Sequence, residues 1–153
     1  MDLYMGIDLG GTKIAICIMD SEGNIKDKLI LPTQAQDGPK GVIRRIIDGC
    51  LILLEREKYA LQDITAVGVA APGPIDFKRG ITKKLPNLPG WKDIPLLDII
   101  KDKFKLPVFL ENDANAAALA ESLYCTGRGV DNLVYITIST GIGAGVIANG
   151  SLL

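Results

Sequence analysis

The sequence predicts an α/β protein whose mixed sheet opens with three antiparallel strands and continues with parallel ones. Two observations predict it. Strand-like apolar runs at residues 3–9, 13–19 and 25–31 are separated only by short turn clusters, so neighbours in sequence pair as hairpins. From Asp37 onward, stretches with helical spacing alternate with short apolar runs, the order that implies parallel pairing.

The first two strands are joined by Asp8-Leu9-Gly10-Gly11-Thr12-Lys13. Adjacent glycines between strands signal a type I′ turn, which needs positive φ at both central residues. The turn has two readings. It is an ordinary surface hairpin, or its bare N–H groups and Lys13 hold an anion such as phosphate. It matches neither the P-loop nor the dinucleotide fingerprint, because a strand follows and not a helix. The second strand has Ile14, Ile16 and Ile18 on one face and Ala15, Cys17 and Met19 on the other, so both faces are expected to be buried. The third, more polar strand is expected at an edge.

Asp37-Gly38-Pro39 starts a helix reaching about Lys58, with Ile43, Ile46, Ile47, Cys50, Leu53 and Leu54 as its core stripe. A buried strand over 64–71 stops at Pro72-Gly73-Pro74. This is a rigid turn, or a place where Gly73 lets a ligand approach the carboxyl end of a parallel strand. Residues 76–84 read as a small hairpin or loop, and 85–91 as an irregular proline-rich loop whose Trp91 is either a lid or an anchor. A helix over 95–103 buries Leu96, Leu97, Ile100 and Phe104, and a strand follows at 107–110. Then Glu111-Asn112-Asp113 leads into the alanine-rich helix of residues 116–123. Asn112 or Asp113 serves as its N-cap. One cap is enough for one helix, which leaves Asp113 as a candidate base whose ionised form the helix N-terminus favours by roughly 0.3–1 kcal/mol. A strand over 130–139 meets Thr140-Gly141-Ile142-Gly143-Ala144-Gly145 and a further strand over 146–148. This is either a second copy of the opening strand–glycine turn–strand unit or an unrelated hairpin.

At 153 residues the chain holds one domain, or one and part of another. Net charge is −1 with no long basic run, which argues against nucleic acid or an anionic membrane as partner. No apolar run approaches a membrane span, and the N-terminus lacks a basic region before an apolar one. With no histidine, a Ser-His-Asp triad and a His-bound metal are excluded within the chain, so a proton acceptor near neutral pH is a carboxylate first. Cys17, Cys50 and Cys125 lie far apart without C-x-x-C, and are expected to be buried thiols in a reducing cytoplasm.

Five motifs in order, G-I-D-L-G-G-T-K (6–13), A-A-P-G-P-I-D (70–76), L-P-N-L-P-G-W (85–91), E-N-D-A-N-A-A-A-L-A-E (111–121) and S-T-G-I-G-A-G (139–145), resemble those of the ROK family of sugar kinases and repressors. The resemblance runs over essentially the whole chain. It implies an actin-like ATPase (ribonuclease H-like) lobe with helices on both faces of the mixed sheet. It implies ATP-dependent phosphorylation of a hexose hydroxyl, usually the 6-hydroxyl and here that of glucose, with ATP and Mg²⁺ as cofactors. By resemblance, Gly10, Gly11, Thr12 and Lys13 form a first phosphate loop, with Asp8 near Mg²⁺ through water. Thr140, Gly141 and Gly143 form a second. Gly73, Asn87, Asn112 and Asp113 line the sugar site, with Asp113 the general base.

Family members continue into a second lobe carrying an E-x-G-H sugar motif, a Cys-rich zinc site and an adenine pocket. None of these falls in the 153 residues. The sequence therefore reads as an N-terminal lobe, 1–129, plus the first hairpin of a second lobe, 130–153, with no zinc site and little expected activity alone. Repressors carry a helix-turn-helix before the first strand. The strand here starts at once, which favours the kinase branch. The alternatives are a non-catalytic sugar-sensing module of the repressor type, or a kinase for N-acetylmannosamine or fructose. The strand over 133–138, left as an edge, is expected to invite a homodimer.

Overall fold

The computed structural model describes residues 2–138 and 141–153. Strands β1 (Leu3–Leu9), β2 (Lys13–Asp20) and β3 (Ile25–Pro32) pair antiparallel, with Leu9 opposite Ile14 and Ile14 opposite Leu31. Side chains alternate across a strand, and Met5, Ile7, Leu9, Ile14, Ile16 and Ile18 all fall on the buried side. The opposite face of β2 is less covered than the sequence suggests, since Ala15, Cys17 and Met19 are only half-buried.

The turn into β3 is built on Asp20. Its carboxylate accepts from the Glu22 and Asn24 N–H groups and sits 2.6 Å from Lys26 Nζ. The Lys26 ammonium, with the Asn24 amide, holds this carboxyl far below the usual carboxylate range.

Helix α1 (Gly38–Glu57) starts with Pro39 in its first turn, where a missing N–H leaves nothing unsatisfied. Val42, Ile46, Cys50, Leu53 and Leu54 are buried, while Ile43 and Ile47 flank the stripe. Strand β4 (Ile64–Ala71) then pairs parallel with β1, as a strand–helix–strand connection requires. Short strands β5 (Ile75–Asp76) and β6 (Ile81–Thr82) make a small hairpin. Helix α2 (Leu96–Phe104) buries Leu96, Ile100 and Phe104. Strand β7 (Val108–Asn112) completes a sheet in the order β3-β2-β1-β4-β7, with β3 at its edge.

Helix α3 (Asp113–Tyr124) and strands β8 (Leu133–Ile138), β9 (Ile142–Ala148) and β10 (Ser151–Leu152) follow, in the sheet order β10-β9-β8. The chain divides into two compact units, Met1–Glu111 and Asn112–Leu153. The sequence places a boundary after residue 129. The packing instead groups α3 with the hairpin, because its small face lies on β9: a Cβ on Gly145 would come 2.4 Å from Ala114 O and 2.6 Å from Ala118 Cβ. Two of the glycines expected in a turn, Gly143 and Gly145, are thus inside β9, with Gly143 opposite Thr137. On the other face of this sheet Val134, Ile136, Ile138 and Ile142 are exposed. Among the described residues no helix is long and apolar enough to cross a membrane.

The cysteines depart from expectation at two positions. Cys50 is buried and Cys17 half-buried, but Cys125 is exposed, because it falls just past the end of α3. Burial pushes the Cys50 thiol up to about 12 and raises that of Cys17.

Candidate active site

In the first unit the β1–β2 connection closes with Gly10 N–H donating to Lys13 O at 3.0 Å. Neither Gly10 nor Gly11 has a left-handed φ, so the expected type I′ turn is not made. Glycine is needed for a different reason, close approach. A Cβ on Gly10 would lie 2.8 Å from Lys13 O, and one on Gly11 would lie 2.8 Å from Asn87 Cβ. Thr12 and Lys13 are exposed at the tip. Thr33, which no spacing rule singled out, reaches the same hairpin from behind with a hydroxyl bond to Gly10 O.

Asp8 is exposed near the carboxyl end of β1 and is paired in register with Ala70 of β4. Two residues on from Ala70 comes Pro72-Gly73-Pro74, with the Gly73–Pro74 peptide cis. Asp8, the glycine hairpin and Gly73 therefore gather at the carboxyl end of one parallel pair, where ligands of α/β sheets bind.

The 85–91 loop presents Asn87 to Gly11. Leu85, Leu88 and Trp91 are buried, while Pro86, Asn87 and Pro89 are exposed. Leu88 N–H donates to Leu85 O and Trp91 N–H to Leu88 O, so the loop folds on itself with every third residue inward. Trp91 Nε1 donates to Thr82 Oγ1 at 2.8 Å. At 1% exposure Trp91 is an anchor and not a lid.

In the second unit Asn112 is the N-cap of α3, its side chain accepting from Ala114 N at 3.1 Å and Asn115 N at 3.3 Å. Asp113 is exposed, and its Oδ1 accepts from Ala114 N at 2.8 Å. The cap reading therefore holds for Asn112 and does not account for Asp113. Gly141 is exposed ahead of β9, Gly143 lies within β9, and Thr140 falls outside the described residues.

Among the described residues no group of three or more His, Cys, Asp or Glu side chains comes together. Mg²⁺ makes a smaller demand, because it keeps several waters and takes one or two carboxylates with substrate phosphates. The exposed Asp8 carboxylate beside the glycine hairpin fits that donor set.

The mixed sheet and its helices make an α/β lobe, and the solved structures it is similar to are ROK sugar kinases of the actin-like ATPase fold. The ROK family model matches residues 4–153, and the chain belongs to the ROK family. It is 39% identical over 150 residues to a glucokinase of Halalkalibacterium halodurans, covering 98% of this chain and 45% of that protein. The ROK hexokinase from Thermus thermophilus superposes with a TM-score of 0.86 at 38% identity, over 99% of this chain and 48% of that one. A ROK glucokinase from Streptomyces griseus, in complex with glucose and AMPPNP, superposes with a TM-score of 0.87 at 36% identity, over 99% of this chain and 46% of that one. The chain thus spans about half the length of the relatives it matches.

Proposed function

We propose that this chain supplies phosphate- and sugar-binding residues of an ATP-dependent hexose kinase acting on the 6-hydroxyl of glucose. The approach of Gly11 to Asn87 carries the reading. It brings a phosphate-loop candidate against a sugar-site candidate, the adjacency that phosphoryl transfer requires. The names of the relatives, and the glucose and AMPPNP bound by the Streptomyces griseus enzyme, support it.

In this reading Gly10, Gly11, Thr12 and Lys13 cradle phosphates with backbone N–H groups and one ammonium. Thr140, Gly141 and Gly143 form the second phosphate contact. Asp8 would hold Mg²⁺ through water, and the ion would supply charge neutralisation on the phosphate oxygens. Gly73, Asn87 and Asn112 orient the sugar. Asp113 accepts the proton of the 6-hydroxyl as its oxygen bonds to the γ-phosphorus. The bond from that phosphorus to the β,γ-bridging oxygen breaks, giving sugar phosphate and ADP. Asp113 is suited to this because Asn112 already caps the helix.

Calorimetry of the chain with glucose, then with AMPPNP·Mg²⁺, tests the binding half. Sugar binding with no nucleotide binding would favour a sugar-sensing module. The chemical half is tested in a chimera joining the chain to the part of the Halalkalibacterium halodurans glucokinase that it does not match. There Asp113→Asn is expected to lower kcat by at least ~10²-fold with KM for glucose little changed. Near-parental turnover would remove Asp113 as base. A panel of glucose, N-acetylmannosamine and fructose decides the sugar.

A further inference from the structure

Thr33 makes bonds that the roles above leave unused. It lies one residue past β3 and is wholly buried. Its Oγ1 donates to Gly10 O at 2.7 Å, and its N–H donates to Thr12 O at 2.9 Å. The peptides concerned are trans, and in a trans peptide C=O and the following N–H point in opposite directions. Drawing the Gly10 and Thr12 carbonyls toward Thr33 therefore turns the Gly11 and Lys13 N–H groups away from it. The Lys13 carbonyl is held in turn by Gly10 N–H.

Thr33 is itself fixed from behind. Arg45 of α1 donates through Nη1 to Thr33 O at 3.0 Å, and through Nη2 to Gln34 Oε1 and to Asp37 Oδ2 at 2.9 Å. Gln34 stands in the left-handed region (φ 49°), a conformation that persists for a non-glycine residue only when its surroundings hold it. The next residue of α1, Ile46, is in the core. One threonine thus connects the hairpin to a helix anchored in the core.

We propose that Thr33 is a positioning residue. It sets the peptide orientation of the 10–13 hairpin so that the Gly11 and Lys13 N–H groups face an anionic phosphate, with Arg45 holding Thr33 in place. The inference rests on the hairpin being the phosphate loop of the kinase reading.

Thr33→Val keeps the shape and the backbone N–H but removes the hydroxyl donor, and Thr33→Ser keeps the donor. Both are made in the full chain, with Ile100→Val on α2 as a core variant that lowers stability elsewhere. Backbone ¹⁵N order parameters of residues 10–13, AMPPNP·Mg²⁺ affinity and glucose affinity are measured. Thr33→Val is expected to drop the hairpin order parameters from about 0.85 to below about 0.6. It is expected to weaken AMPPNP about tenfold, the loss of one buried hydrogen bond, with glucose affinity unchanged. Thr33→Ser should restore both, and Ile100→Val should disturb neither.

An ordered hairpin with unchanged AMPPNP affinity in Thr33→Val overturns the proposal. So does a loosened hairpin with unchanged affinity, which leaves Thr33 a structural residue. If the chain alone does not bind AMPPNP, affinity is read in the chimera, which supplies the rest of a glucokinase; no binding there refutes the phosphate-loop reading instead. The order parameters then decide alone: loosening in Val with recovery in Ser upholds Thr33 as the residue that orients the hairpin, and no change overturns it.

Discussion

The two glycine segments look alike in sequence and do different physical work. At residues 10–11 the glycines sit in the connection between strands, and the atoms that exclude a side chain are Lys13 O and Asn87 Cβ. At residues 143 and 145 the glycines are inside β9, and the excluding atoms are Thr137 Cγ2, Ala114, and Ala118 Cβ. The first segment spends its missing side chains on bringing one loop against another. The second spends them on seating a helix on a strand. Glycine therefore reports close approach in both places, and only the partner tells whether the approach serves a ligand or the core.

That contrast can be broken experimentally. The largest effect is expected from Gly145→Val, whose added carbons meet the α3 backbone. It should destabilise the Asn112–Leu153 unit by about 3 kcal/mol, read as lost amide protection in α3. If stability stays unchanged and only nucleotide affinity falls, the glycines of β9 serve the proposed second phosphate contact and not the seating of α3. Gly11→Ala should act the other way round. It should weaken AMPPNP roughly tenfold, about 1.4 kcal/mol and within the ~1–3 kcal/mol that overpacking costs at one site, and shift the melting point little.

A smaller, pH-dependent difference separates the units. The ion pairs described all lie in the first unit, among them Asp20–Lys26 at the β2–β3 turn. Because the folded Asp20 carboxyl titrates below its unfolded value of about 3.9, its stabilisation is complete above that pH. It is lost as pH falls through the depressed folded value. Asp20→Asn should thus lower the urea midpoint at pH 7 and flatten its fall toward pH 2. An acid limb as steep as the parent's would show that Asp20 is not its source. The smallest effect is chemical. Iodoacetamide should modify Cys125 first, Cys17 slowly and Cys50 only on unfolding, with mass spectrometry reading the order.

Most of the first unit was legible because its signals are periodic. Strands 3–9 and 64–71 match observed β1 and β4 to the residue, since their apolar runs end at turn formers that leave little choice. The stripe expected for α1 is right at Ile46, Cys50, Leu53 and Leu54, while Val42 replaces Ile43 at its start, because two adjacent branched residues fit the spacing equally well. The start of β9 was misread as a turn, since three glycines in five residues outweigh strand propensity until a packed helix is known. The site was legible only through the resemblance. Spacing left Asp113 divided between cap and base, and Thr33 escaped notice because a lone threonine after a strand has no pattern. What distinguishes Thr33 is two bonds to residues more than twenty positions away.

The 85–91 loop separates its duties by position. Leu85, Leu88 and Trp91 anchor it, and Pro86, Asn87 and Pro89 face out. An exchange at the outward positions leaves the anchor intact, so natural drift or a laboratory library can vary position 87 without risking the fold. Only Gly11 limits the search, because any larger backbone neighbour there closes the space in which new side chains at position 87 would be tried.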